Sequence, residues 1–458
     1  MTAAPASPAT RPGPGDGPAR SGMGALGEST RLRLLLVLMG VLQAAFLVLR
    51  VRPYGASVHA LLGVLLALTL VATLVVAFLP QHLDERASAL LDAAGATRVR
   101  AIVTLLAVAV LAGLAGVLTQ QPFSWDERSV LWASEVVAAE GPHGLFARYG
   151  ENAWLGPQHP PVVPLAYGAI TWLAGSHLKV LRIVNLALGC GTALLAFLVT
   201  ERLYERRTAV LAGMLLLVSP LFERIATAAT NDMPLTFLFC LALLLAIRLE
   251  REAGDRLAVL LGLVAGLGLL VKYTMVLVFP VLLALAWCFG SLQAARRYGP
   301  VVLVIAFAML LAWLDHAWSL GILDAQRTHL GRLAGVARRS PGWVLDALVV
   351  KAPAALGVYV VPWVGLGAWG AFHRRAMQDR FVACWIALVF VPLLLTVPDN
   401  RYFLPAFPAL AILGAQALAA RPRWGARVLL LAALLCAITL ALYASVDLER
   451  RAAIFAAR

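Results

Sequence analysis

The feature that most constrains this chain is its series of uncharged apolar runs, many of them roughly 17–22 residues long. At about 1.5 Å per helical residue that length matches the ~30 Å of hydrocarbon in a bilayer. A backbone in lipid must satisfy its own polar groups, so such runs become helices. Hydrophobic residues make up 61% of the 458 and charged residues 14%, and the mean hydropathy is +0.84. A soluble domain carries about 25% charged residues. The chain reads as an all-α polytopic membrane protein.

Thirteen runs are read as spans. Three come first, near 34–50, 57–79 and 100–118; ten follow, near 180–199, 208–221, 234–249, 257–271, 275–290, 300–319, 353–371, 381–397, 403–420 and 428–445. Residues 1–30 are rich in Ala, Pro, Gly and Ser without apolar periodicity, which predicts a disordered cytoplasmic tail rather than a cleaved signal peptide. Residues 31–99 then hold two N-terminal spans, 100–420 a core, and 421–458 a last span with a short tail.

The net charge of +14 comes from basic residues scattered in twos and threes between apolar runs, with no patch or aromatic interleaving. That pattern excludes a nucleic-acid partner and is what topology signals look like. One set of short connections carries Arg202/Arg206/Arg207, Arg248/Arg251/Arg256, Arg296/Arg297, Arg374/Arg375/Arg380 and Arg421/Arg423/Arg427, with Arg31 and Arg33 ahead of the first span. The alternate set has Arg224, Lys272 and Arg401 nearly alone, while Arg50 and Arg52 are exceptions to the pattern. The basic set is expected in the cytoplasm. The five cysteines sit within apolar runs with no metal-ligand spacing and read as reduced core or lipid-facing residues.

That sidedness puts outside the longest polar stretch after the tail, Thr119 to Lys179. Its run from 161 to 175 is too short to span and reads as an amphipathic helix on the membrane surface. The outer face collects Asp126, Glu127, His159, Asp232, Lys272, Asp315, His316, His329, Arg332, Lys351 and Arg401. Ionisable groups near lipid are costly and mark function by default. Chemistry belongs to this face.

Each candidate also has a purely structural reading. Asp126 and Glu127 open a helical stretch, DERSVLWASEVVAAEG, where acids are favoured by the helix dipole. A carboxylate there can equally serve as general base toward a hydroxyl. His159, stiffened by Pro160 and Pro161, is either an exposed loop residue or a phosphate or metal contact. Asp232, two residues before Pro234, fits a helix N-cap, a role compatible with catalysis. Lys272, in GLLVKYTMVLVFP, is either a snorkelling lysine in a hairpin or a cation for a lipid phosphate. Arg401, beside Tyr402, can pair bidentately with phosphate or anchor to head groups.

In order, these pieces resemble the membrane glycosyltransferases of the GT-C fold, above all the bacterial relatives of protein O-mannosyltransferases and the ArnT-like aminoarabinose transferases. The matching residues are Trp125-Asp126-Glu127, His159-Pro160-Pro161, the basic stretch from Glu201 to Ala209, Ser219 to Phe222, Asn231 to Pro234, Gly266 to Tyr273, His329 with Arg332, and Arg401 to Leu410. The resemblance covers roughly residues 119 to 420. The two spans in 31–99 are additional to the family pattern, and Gln158 stands where some relatives carry a metal-ligating acid.

The resemblance implies a GT-C-type bundle of about 13 helices whose long first outer loop is catalytic and carries interfacial helices. It implies an inverting transfer of a hexosyl or pentosyl group from a polyprenyl-phosphate donor to an acceptor hydroxyl, on the extracytoplasmic face of the inner membrane. Asp126 is then the base, with Glu127 and Asp232 orienting sugar or acceptor. His159, Lys272, Arg332, Arg401 and Tyr402 form the donor phosphate site. No cofactor is assigned; a divalent metal ion is left open, with His329 as its candidate ligand. The alternatives are a transporter or lipid flippase, which would place ionisable residues near mid-membrane, and a non-catalytic partner in cell-envelope assembly.

Overall fold

The computed structural model describes residues 21–51, 56–119, 124–152, 159–319, 321, 341–396 and 400–456. The described residues form helices and connections with no strand. Nine helices among them are long and apolar enough to cross a membrane, or eleven if each of two bent pairs is one span. The protein is an integral membrane protein built as a helix bundle.

Helices α1 (Ser21–Val51) and α2 (Ala56–Ala77) pair with each other. Helix α3 (Gln81–Gly95) follows, then α4 (Arg98–Thr119). The polar segment after α4 holds α5 (Ser124–Arg148) and α6 (Val162–Ala174). Next come α7 (Leu178–Leu203), α8 (Arg206–Leu217), α9 (Pro220–Ala226), α10 (Asp232–Glu252) and α11 (Asp255–Val271). A 3-10 turn (Tyr273–Leu277) leads into α12 (Val278–Cys288), followed by α13 (Leu292–Ser319). The chain closes with α14 (Ala347–Leu356), α15 (Val361–Arg374), α16 (Met377–Thr396), the 3-10 turn Asn400–Ala406, α17 (Phe407–Ala419) and α18 (Gly425–Ala456).

Eleven of the thirteen expected segments thus have full-length counterparts when the bent pairs are counted. The other two, 257–271 and 275–290, correspond to α11 with 17 residues and α12 with 11. Both still run between the two ends of the bundle. Lys272 at their junction meets Asp232, while Ser291, just past α12, donates to Glu250 near the end of α10 at 2.6 Å.

Ion pairs mark one end of the bundle. Glu201 takes Arg98 and Arg206, Asp92 takes Arg207, Asp84 takes Arg427, and Asp379 takes Arg374. These are the arginine-rich connections of the sequence. Helix α3, which the apolar pattern did not single out, supplies Asp84 and Asp92 and joins this end to α8 and α18. Helices α1 and α2 dock on the far side of the chain in sequence: Gln43 Nε2 donates to Thr439 Oγ1 at 2.9 Å.

The two bent pairs explain each other. Helices α8 and α9 meet at 73° around Ser219-Pro220, and α14 and α15 at 109° around Gly357. A break frees backbone carbonyls that need donors in an apolar interior. Tyr359 OH donates to Val218 O at 2.9 Å, and Ser219 Oγ to Ala355 O at 3.2 Å. Each break supplies a donor to the other.

Helix α11 must approach α13 closely to carry Lys272 into place. Gly262 and Gly266 lie one turn apart on the contact face. A Cβ on Gly266 would sit 3.1 Å from the Ala306 backbone, and one on Gly262 3.2 Å from Val302 O. Small residues at such spacing let helices touch without a hydrophobic driving force. Gly266→Leu should therefore force the two helices apart. Overpacking of this kind costs about 1–3 kcal/mol; the expected lower thermal midpoint is checked on detergent-purified protein.

Candidate active site

The site forms at the end opposite the arginine-rich one. Helix α5 starts at Ser124, and Asp126 and Glu127 fall in its first turn. Gly141 (φ 73°) breaks α5, and Pro142 restarts it. Only a residue without Cβ takes that conformation cheaply, and proline suits a first helical turn. Helix α6 folds back on α5, burying Val163, Tyr167 and Thr171 along one face. Its other face leaves Trp172 and Leu173 exposed, consistent with the expected surface helix.

Neighbouring Asp126 and Glu127 have different environments. Glu127 is fully buried and held on both oxygens by Arg182: Nε to Oε1 at 2.9 Å, Nη2 to Oε2 at 2.8 Å. It also accepts the Ala229 N–H at 2.8 Å. Asn185, one turn past Arg182, takes the Tyr167 hydroxyl at 2.8 Å and donates to Ile225 O at 2.7 Å. Glu127 thereby ties α5 to α7 and to the segment leading into α10. Arg182 was missed by the sequence reading, although an arginine in the first turns of a span is the kind of residue that marks a polar contact.

Asp126 instead joins an open chain of charges. Its Oδ2 accepts from Arg401 Nη1, which lies 4.0 Å from Asp232 Oδ2. The other oxygen of Asp232 accepts Lys272 Nζ at 2.5 Å. Lys272 Nζ also sits 4.0 Å from the centroid of the Tyr402 ring, a cation–π contact. Asp232 and Lys272 are buried, whereas the Asp126 and Arg401 side chains keep 13% and 18% exposure and form the more open end of the chain.

The local readings of these residues change accordingly. Asp232 is not the cap of α10: Asn231 holds that position and makes no side-chain cap bond. Lys272 does not snorkel; its backbone is extended and its amine turns inward. Five sequence candidates, Asp126, Asp232, Lys272, Arg401 and Tyr402, come together. Glu127 sits beside them in its own ion pair.

His159 is buried at the start of α6, and its carbonyl accepts the Tyr149 hydroxyl. Burial pushes Tyr149 well above the usual tyrosine range, so it stays a donor. The Tyr149 ring meets Trp313 edge-on, and Trp313 Nε1 donates to Tyr273 OH at 2.9 Å, next to Lys272. His159 is thus linked to the charged cluster through an aromatic bridge. His329, Arg332 and Gln158 lie outside the described residues. Among the described residues no group of three or more His, Cys, Asp or Glu could hold a metal ion.

A cleft of about 700 Å³ opens elsewhere, between α10, α11, α12 and α13, with Leu249, Glu250, Leu261, Phe279, Tyr298 and Val302 on its walls. It reaches the arginine-rich end, and its apolar lining suits hydrocarbon. It is not where the carboxylates meet.

Known proteins place this architecture. Its fold is that of ArnT from Cupriavidus metallidurans bound to undecaprenyl phosphate, with a TM-score of 0.53 at 19% identity over 70% of this chain and 61% of that one. The Archaeoglobus fulgidus oligosaccharyltransferase gives a TM-score of 0.50 at 16% identity, covering 70% and 49%. The chain is an integral membrane protein of the GT-C fold. Residues 158–316 match the family described as dolichyl-phosphate-mannose-protein mannosyltransferase. A Pseudomonas fluorescens (strain Pf0-1) protein, undecaprenyl phosphate-alpha-4-amino-4-deoxy-L-arabinose arabinosyl transferase 2, is 29% identical over 62% of this chain and 52% of its own length. The chain is therefore similar to the ArnT-like glycosyltransferases and spans about half the length of the curated relatives it matches.

Removing one partner of a buried ion pair leaves the other charge uncompensated, at about 3–5 kcal/mol. Arg182→Ala should destabilise the protein by that amount, read as a large fall in thermal midpoint, and so should Glu127→Gln, which leaves the buried Arg182 charge unpaired and turns an amide N–H toward one of its donors.

Proposed function

We propose that this protein is a membrane glycosyltransferase that moves a hexosyl or pentosyl group from a polyprenyl-phosphate donor to an acceptor hydroxyl on the extracytoplasmic face of the inner membrane, with inversion. The observation that carries the reading is the chain Asp126–Arg401–Asp232–Lys272, which sets two carboxylates and two cations together at one end of the bundle. Kinship with proteins named for undecaprenyl-phosphate sugars and for dolichyl-phosphate-mannose supports the donor class. The arginine-rich connections at the opposite end support the sidedness.

The roles follow from charge. In the transfer, the acceptor oxygen bonds to the anomeric carbon while the bond from that carbon to phosphate oxygen breaks. Polyprenyl phosphate leaves with the electron pair, so negative charge grows on it. Lys272 and Arg401 are the cations that meet this charge, in a setting dry enough to make them effective. A phosphate that draws Arg401 toward itself releases Asp126, whose carboxylate then takes the acceptor's proton. Asp232 holds Lys272 in position, and Glu127 fixes the helix turn that carries Asp126. His159, Tyr402, and Arg332 complete the donor site in this reading, with His329 a candidate ligand should a divalent ion take part. Residues 100–420 are the catalytic unit; 31–99 and 421–458 flank it.

General-base catalysis is worth about 10²–10⁴-fold. Asp126→Asn, which keeps size and an acceptor for Arg401, should lower transfer by at least about 100-fold with expression and donor binding retained. Full activity in that variant would overturn the assignment.

A further inference from the structure

The cleft of about 700 Å³ between α10, α11, α12 and α13 has two chemically distinct parts. Most of its wall is apolar, with Leu249, Leu261, Phe279 and Leu285 contributing. Leu283 and Leu303, also on the wall, are 58% and 42% exposed, so in a bilayer the cleft opens sideways onto hydrocarbon. A lipid chain can enter it without crossing water, and its volume is in the range of sites that bury most of a ligand. At the arginine-rich end Glu250 and Arg296 join the lining.

These two charges are not spent on each other or on neighbours. Ser291 Oγ donates to Glu250 at 2.6 Å and fixes its half-buried carboxylate, which makes no ion pair among the described residues. The next acid on α10, Glu252, is paired with Arg248 at 2.9 Å, and Arg251 donates to Arg202 O at 2.8 Å. Arg296 is exposed and likewise makes no ion pair among the described residues, whereas Arg297 lies over the Tyr298 ring, 5.1 Å from its centroid.

A carboxylate and a guanidinium at the mouth of one apolar cleft match a lipid head group that carries both signs. Phosphate oxygens suit the planar guanidinium, and a primary ammonium offers the carboxylate charge-assisted N–H donors. A head group with a phosphate alone would face Glu250 without a counter-charge, and a trimethylated amine has no N–H to donate. A polyprenyl-phosphate donor bound at the Asp126–Lys272 charge chain holds its phosphate at the opposite end, so it does not account for Glu250 and Arg296.

We propose that this cleft is a binding site for a phospholipid with a primary-amine head group, taken from the leaflet that meets the arginine-rich end. An acyl chain fills the cleft, the phosphate meets Arg296 and the ammonium meets Glu250. The site is separate from the charge chain and does not rest on the transferase reading.

The test adds phosphatidylethanolamine, phosphatidylglycerol or phosphatidylcholine with identical acyl chains to the delipidated protein in detergent. Retained lipid is counted by native mass spectrometry, and the thermal midpoint is followed. Phosphatidylethanolamine should bind about threefold or more tightly than the other two and raise the midpoint most. Glu250→Gln, which keeps an acceptor for Ser291, should abolish the preference over phosphatidylglycerol while lipid is still retained. Arg296→Gln should weaken both. A Cβ on Gly299, which lines the cleft, meets nothing within 4 Å; Gly299→Leu should therefore fill the space and lower retention of all three lipids. The Glu250 and Arg296 variants decide the matter even where Gly299→Leu lowers the lipid-free midpoint. Equal retention of the three lipids by wild type would mean that the cleft takes any acyl chain, and a preference unchanged by Glu250→Gln would remove the ammonium contact. Displacement of the bound phospholipid by polyprenyl phosphate would give the cleft to the donor's tail. Each of these results overturns the inference.

Discussion

The structure depends on putting carboxylates and cations together where the bundle is dry. Asp126 comes from α5, Asp232 from the start of α10, Lys272 from the junction of α11 and α12, and Arg401 from the turn before α17. No two share an element, so their pairing fixes four parts of the fold against each other. Isolated, each charge would cost a few kcal/mol near lipid. Paired, they cost less than any partial arrangement, so breaking one contact is worse than never having built the set. The Glu127–Arg182 pair beside them has the same logic with no opening to the outside.

That contrast separates holding from reacting. Two adjacent acids on one helical turn point to different fates because α7 offers an arginine to one and leaves the other to Arg401. A carboxylate clamped on both oxygens by a guanidinium and touched by a backbone amide is a structural strut. A carboxylate sharing a more exposed cation with a second acid can be freed when an anion competes for that cation. The close helix contact at Gly262 and Gly266 and the paired breaks at Ser219 and Gly357 bring the supporting elements to this end.

Much of this was legible in the sequence. Apolar runs of span length located the long helices, and the arginine connections separated one end from the other. The polar residues that stood out against that background include every member of the Asp126–Lys272 charge chain. What stayed hidden depended on contacts far apart along the chain. Arg182 looked like an ordinary span-end arginine because its partner lies 55 positions earlier. Helix α3 was overlooked because its 15 residues, QHLDERASALLDAAG, contain no long apolar run. Asp232 and Lys272 looked like a cap and a snorkelling lysine because local propensity cannot register that they face each other across 40 positions. The short α11 and α12 ran below span length, since Lys272 is drawn inward to Asp232 rather than out to the head groups.

The central claim is that this charge chain acts on a lipid-phosphate leaving group. The most direct measurement is sugar transfer by the purified protein, comparing polyprenyl-phosphate sugars with nucleotide sugars as donors. The account predicts transfer from the lipid-linked donor with polyprenyl phosphate released in equal amount. Transfer from nucleotide sugars alone would contradict it.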